Sequence, residues 1–331
     1  MPEALRRREV GRGERVVPGV WRLRLPLPWP GVPHGNAWAL AAGDGIVLVD
    51  TGYHAAGSLA HLERALAQVG LRLDLVRLLV CTHAHSDHYG QAAPILARAG
   101  CELWMHGDYG HAVSSAHDPD AALARRLEVA RQSGVPEEPL RRWAAQHAGA
   151  GSGIAEIVAP DRALHEGDEV QTDLGPWRVH ETPGHAPSHV CLFQPERRIL
   201  ISGDHVLGRI SLYYDFGWTP DPAGEFLSSL AKVGALGARL GLSGHGKPFT
   251  DVDGHIRGNV ELVNARLDAA VGALADGPQT AYDLLPAVHG AAVTQGMAAW
   301  WLSETLCYLT HLEQTGRVRR REGDPALWEV A

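Results

Sequence analysis

Thr82-His83-Ala84-His85-Ser86-Asp87-His88 closes the apolar run LDLVRLLVCT (73–82) and puts four metal-ligating side chains into six residues. The run predicts a β-strand, and in an extended chain end residues two apart point the same way. His83 and His85 can therefore meet one ion. Where the chain turns into a helix start, Asp87 and His88 can reach a second ion beside it. Neutral imidazole and carboxylate suit zinc, manganese or iron.

Three later positions share one context, the end of a predicted strand in a glycine turn: His185 in TPGHAPSH (182–189), Asp204 in ISGDH (201–205) and His245 in LSGHG (242–246). Glycine lets a backbone approach closely. Strand ends converging on one sheet edge would gather all seven side chains. With 19 histidines in the chain, chance clusters must occur. A chance origin becomes remote when each further histidine or aspartate ends a strand.

Outward from this core, the predicted elements alternate. VWRLRLPLP (20–28), AWALAA (37–42) and GIVLVD (45–50) read as strands, HAAGSLAHLERALAQVG (54–70) as a helix ending at Gly70, and CELWMH (101–106) as a strand. The stretch from about 110 to 150 carries helical periodicity and reads as a helical insertion. Strands resume at 177–183, 189–195 and 197–204, then a helix near 223–236 and a strand at 239–244. After about residue 255 the pattern becomes helix, helix, helix, hairpin, the outline of a winged helix, with Thr280 placed to N-cap the middle helix.

VDTG (49–52) before the histidine cluster, then THAHSDH, TPGH, SGD and SGHG, in that order, resemble the metallo-β-lactamase superfamily over about residues 16–255. The resemblance implies an α/β fold, an αβ/βα four-layer sandwich, followed by a small C-terminal winged-helix-like domain: 1–255 catalytic, 256–331 winged. It also implies that His83, His85 and His185 bind one ion, that Asp87, His88 and His245 bind a second, and that Asp204 bridges them. Asp50 matches the family's buried aspartate that orients the site loop, and Asn36 in GNAWAL matches an early structural asparagine. Two zinc ions are expected, with manganese or iron as alternatives.

The chemistry expected is attack by a hydroxide shared between two cations about 3.5–4 Å apart, with Asp87 moving a proton after bond cleavage. Ser243 in GLSGHG lacks the G-x-S-x-G context of a serine nucleophile. The substrate expected is an ester, thioester or lactone. Tyr213, Tyr214 and Trp218, in RISLYYDFGWTPDP (209–222), and Lys247 are candidate substrate contacts. His189 and His205 adjoin ligands without serving as such, Tyr89 packs the first helix turn, and Cys81 is core.

Composition narrows the alternatives. The 331-residue chain carries a formal net charge of −8, and residues 257–331 hold six arginines against nine acids. That balance disfavours polyanion binding, although an endoribonuclease or phosphodiesterase remains the runner-up. Further readings are a non-catalytic module with a vestigial site and a single-iron oxygenase of the persulfide dioxygenase kind. Arg6 to Arg8 and Arg319 to Arg321 read as solvated surface. Four scattered cysteines predict no disulfide framework. With neither a signal-peptide core nor the about 18 apolar residues of a membrane span, the expectation is a soluble cytoplasmic protein with a small-molecule substrate and possible homodimer formation.

Overall fold

The computed structural model describes residues 10–29, 31–209, 211–290 and 298–331. Arg6 to Arg8 and Met297 of the last predicted helix lie outside the described residues.

Seven strands form the first sheet in chain order: β1 (Arg12–Val17), β2 (Val20–Trp29), β3 (Val32–Ala42), β4 (Gly45–Val49), β5 (Val76–Val80), β6 (Glu102–Met105) and β7 (Arg162–Ala163). The first four pair antiparallel, and β4 to β7 run parallel. The second sheet contains β8 (Glu169–Val170), β9 (Trp177–Glu181), β10 (Val190–Gln194), β11 (Ile199–Gly203) and β12 (Leu240–Ser243), ordered β12-β11-β10-β9-β8.

The two sheets face each other through a buried layer that includes Trp38, Leu40, Val47, Val80, Val190, Leu192, Ile201 and Leu242. Helices α1 (Ser58–Gln68), α2 (Ser86–Tyr89) and α3 (Ala92–Ala99) lie on the first sheet's side, where Leu62, Leu66, Tyr89 and Ile95 join its outer core. The insertion holds α4 (Gly110–His117), α5 (Pro119–Gln132) and α6 (Glu137–His147). Outside the second sheet stand α7 (Pro222–Gly234) and α8 (Val252–Leu274). The result is the αβ/βα four-layer sandwich expected from the sequence. Strands such as β4, β10 and β11 are buried on both faces, one against the opposite sheet and one against the outer helices, and that closes it.

Then come α9 (Ala281–His289), α10 (Ala298–Gln314) and the hairpin β13 (Val318–Arg321) with β14 (Leu327–Val330). Thr280 caps α9: its hydroxyl accepts from Asp283 N, and the Asp283 carboxylate returns to the Thr280 backbone. These elements share one core with the second sheet. Leu284, Leu285, Leu306, Leu309 and Trp328 pack in the same cluster as Leu200, Phe226 and Leu230. The helix that opens this region begins at Val252, capped by Asp251, before the boundary expected at 256.

The strand predicted over 73–82 is shorter than its apolar run. Leu73–Leu75 form a 3-10 turn, and β5 begins at Val76. Helix α1 likewise covers only Ser58–Gln68 of the predicted 54–70. None of the four cysteines is bonded, and Cys81 is fully buried in the core beneath α2.

Candidate metal centre

Parallel neighbours end at the same rim. β4 delivers Asp50 and β5 delivers Thr82 and His83, while β11 delivers Asp204 and β12 delivers His245. The sheets are tied at that rim by Val190 N donating to Thr82 O (2.7 Å). Asn36 ties them again, with Nδ2 donating to Ser243 O (2.8 Å) and Gly246 O (3.0 Å). Its structural role comes from holding the SGHG loop against the first sheet.

At this rim the seven side chains predicted from the sequence converge into two adjoining groups. In the first, His85 Nδ1 lies 3.0 Å from both His83 Nε2 and His185 Nε2. In the second, His245 Nε2 lies 3.2 Å from Asp87 Oδ2 and 3.1 Å from Asp204 Oδ2, and His88 Nε2 lies 3.5 Å from Asp87 Oδ2 and 3.4 Å from Asp204 Oδ1. Asp204 also approaches the first group, with Oδ2 3.9 Å from His185 Nε2.

The far nitrogen of each imidazole is held by an acceptor. His88 Nδ1 donates to Asp50 Oδ2 (2.8 Å), His185 Nδ1 to Tyr213 O (3.0 Å), His245 Nδ1 to His34 O (3.2 Å) and His85 Nε2 to Asp215 Oδ2 (2.8 Å). Thr82 Oγ1 donates to Asp50 and so accepts from His83 Nδ1 at 3.0 Å. These bonds fix the tautomer that leaves each near nitrogen's lone pair facing the cluster. Asp50 is fully buried at φ 65°, a left-handed conformation that costs energy for a non-glycine residue. Its carboxylate also accepts from Thr82 N (2.8 Å), so one strained residue orients both His83 and His88.

The electrostatics divide along the same line. Burial pushes His83 well below the usual histidine range and His185 down to about 4, with neighbouring imidazoles adding to both. In the second group burial opposes charge, yet Asp87, Asp204 and Asp50 outweigh it and raise His88 well above its usual value. Burial likewise opposes charge on His245, but Asp204 and Asp87 hold it up to about 10. A pocket of two buried carboxylates draws positive charge. His88 Nε2 and Asp204 Oδ1 are buried with no hydrogen-bond partner, an arrangement that costs energy unless something else contacts them. Inward lone pairs about 3 Å apart, orphaned donor atoms and carboxylates between imidazoles fit divalent cations.

Gly244 shows why the turn carries glycine. A Cβ there would stand 2.1 Å from Asp204 Oδ1 and 2.4 Å from His88 Cε1. Gly244→Ala is therefore expected to displace both ligands and lower kcat/KM by about 10²-fold, as a shift of about 1 Å in a reacting group does. Metal content and turnover of the purified variant check it, and near-wild-type values would contradict the crowding.

The other predicted residues are distributed unevenly. Tyr213 stands at the site, its ring centroid 5.7 Å from those of His85 and His185. Trp218 is 45% exposed at the rim, 6.2 Å from the His111 ring. Lys247 is exposed beyond His245. Tyr214 does not reach the site: it is fully buried in the core between Phe226 and Tyr308. His189 orients Asp204, its Nε2 accepting from Asp204 N (3.2 Å) while Nδ1 donates to Thr182 Oγ1 (2.7 Å). His205 points away, buried against Phe226. The Tyr89 hydroxyl packs inward and bonds Val158 O.

Two residues escaped the sequence reading. Asp215 holds His85 Nε2, and its own backbone N donates to His185 O (3.2 Å). Buried His111, from the insertion, forms a further group with His85 and Asp215. Asp215 sits among the flagged aromatics and could have been found there; His111 carries no motif.

The loop bearing Tyr213 and Asp215 is itself fastened by α10. Trp300 Nε1 donates to Leu212 O, Ser303 Oγ to Tyr214 O (2.8 Å) and Gln314 Nε2 to Pro220 O, while His311 pairs with Asp221 (2.9 Å). The Trp300 ring meets Tyr213 edge-on at 5.1 Å.

A sandwich with five imidazoles and two carboxylates at one rim defines a metal-binding hydrolase of α/β type. Residues 30–245 match the metallo-beta-lactamase superfamily model, and the chain belongs to that superfamily. It is similar to a probable metallo-hydrolase, YqjP, of Bacillus subtilis (strain 168), 25% identical over 287 residues, which are 83% of this chain and 86% of that protein. It is also similar to an atrochrysone carboxyl ACP thioesterase of Aspergillus chevalieri, 23% identical over 84% of this chain and 75% of the other. Among solved structures, a beta-lactamase domain protein from Burkholderia ambifaria superposes with a TM-score of 0.83 at 28% identity, covering 96% of this chain and 94% of that one. The chain is thus a hydrolase of this superfamily. No helix among the described residues is long and apolar enough to cross a membrane.

Proposed function

We propose that the protein hydrolyses a small-molecule ester, thioester or lactone using two divalent ions, zinc foremost, held by His83, His85, Asp87, His88, His185, Asp204 and His245. The observation that carries this reading is the convergence of five imidazoles, each with its far nitrogen held by an acceptor, and two carboxylates into two adjoining groups that share Asp204. When bound, such ions supply a water acidified towards neutrality and a Lewis-acidic grip on the attacked oxygen.

The chain's own residues do the rest. Asp204, oriented by His189, holds the two groups in register. Asp87, buried and 3.2 Å from His245 Nε2, is the carboxylate that carries a proton to the leaving group. Tyr213, Trp218 and Lys247 stand where substrate would approach, two apolar rings and one cation suited to an acyl group with a polar tail. The thioesterase relative favours the thioester within this class.

Chelation followed by a panel of p-nitrophenyl esters, lactones, acyl thioesters, bis-p-nitrophenyl phosphate and short RNA tests it. Stripping is expected to remove activity and zinc or manganese to restore it, with acyl substrates preferred. Activity indifferent to chelation, or a phosphodiester as the best substrate, overturns the proposal.

A further inference from the structure

We infer that His106, His165 and Glu181 form a separate transition-metal site, zinc by chemistry, that bridges the edges of the two sheets. His106 follows β6 and His165 follows β7 on the first sheet, and Glu181 ends β9 on the second. Glu181 Oε1 lies 3.5 Å from His106 Nε2 and 3.4 Å from His165 Nδ1, and the ligand atoms of all three lie within 4.8 Å of one another. None of the three belongs to the centre described above.

The spacing is informative. Hydrogen bonds between nitrogen and oxygen cluster near about 2.9–3.0 Å, and here two imidazoles face a single carboxylate oxygen from farther away. Ligands about 2.0–2.2 Å from a tetrahedral zinc sit about 3.3–3.5 Å apart, which is the separation of each imidazole from the carboxylate. Side-chain exposure rises from His106 (19%) through Glu181 (34%) to His165 (66%), so the group opens to solvent on one side, where water can complete the coordination.

Neighbouring groups hold the carboxylate's strand in place. The Glu166 carboxylate accepts from His180 Nδ1 (2.7 Å), Lys232 Nζ (2.8 Å) and Glu181 N (2.9 Å), and Lys232 Nζ also donates to Glu181 O (2.7 Å). Those donors are spent on Glu166 and on the backbone, and Glu181 Oε1 accepts from Glu166 N at 3.3 Å and, as a long bond, meets His165 Nδ1 at 3.4 Å. Two long bonds oppose binding: His106 Nδ1 accepts from Asp108 N at 3.2 Å, which a ring that binds metal through Nε2 must give up to carry its proton on Nδ1, and His165 must release its Nδ1 contact with Glu181 Oε1 at 3.4 Å. Three ligands from two sheets outweigh these two long hydrogen bonds.

The test is metal counting on the full chain, stripped by chelator and reloaded with zinc alone, then with cobalt(II) for its absorption spectrum. His165→Ala, His106→Ala and Glu181→Gln are each expected to retain one zinc fewer per chain than the wild type, and to lose one cobalt component, with kcat/KM within about twofold. His165 is exposed, so its alanine variant does not threaten folding. The readout is a difference between chains, so it is independent of how many ions the catalytic centre holds. Equal zinc content in wild type and all three variants overturns the inference, as does loss of metal from the variants that abolishes activity with it.

Discussion

Asp204→Ala is expected to lower kcat/KM by about 10³-fold or more and to reduce the zinc retained per chain, while the chain remains folded. Asp204 is the carboxylate within reach of both groups, 3.1 Å from His245, 3.4 Å from His88 and 3.9 Å from His185. Losing it removes a ligand from each ion's surroundings, and ion-derived stabilisation of several kcal/mol corresponds to a thousandfold or more in rate. The backbone at 204 rests on β11 and on the His189 ring, neither of which needs the side chain. His88→Ala and Asp87→Ala should behave alike on the second group. Turnover near wild type in any of the three, with correct folding, would sink the two-ion mechanism.

Trp300→Ala is expected to weaken zinc binding by about 10–100-fold, the usual effect of disturbing the partners of metal ligands, as well as to cost about 2–4 kcal/mol of stability as a truncated, partly buried aromatic. The route runs from α10 to Leu212 O and the Tyr213 ring, then from Tyr213 O to His185 and from Asp215 to His85. Trp301 supplies the control, since it stacks on His289 instead, 4.7 Å between centroids. Trp301→Ala should lose stability without losing zinc affinity, and Trp300→Phe should recover the ring contact but not the bond to Leu212. Should both alanine variants bind zinc as tightly as the wild type, α10 is a packing helix and nothing more. Calorimetric titration with zinc, beside thermal melts, separates the outcomes.

How far the chain could be read in advance differs by element. The apolar strands before His83 and after Trp177 announced themselves through short β-rich runs, and the capped helix through the placing of Thr280 before it. Boundaries were less legible. Leu73–Leu75 share the composition of the strand they precede, and nothing local says where a 3-10 turn gives way to β5. Tyr213 and Tyr214 are neighbours of one residue type, yet one faces the imidazoles and the other the core of Phe226 and Tyr308. Only the path of the loop under α10 separates them.

The sequence by itself determined the chemistry of the rim. Histidine and aspartate spaced two apart after a strand, and glycine beside each later histidine or aspartate of the rim, are local requirements that any fold presenting these strand ends would share. Tertiary structure decided which nitrogen of each ring faces inward, because Asp50, Asp215, Tyr213 O and His34 O arrive from segments far away in the chain. It also decided that Asp215 and His111 belong to the site and that α10 holds it. Hydrogen bonds between distant segments form only once the sheets have packed, and no short-range pattern records them.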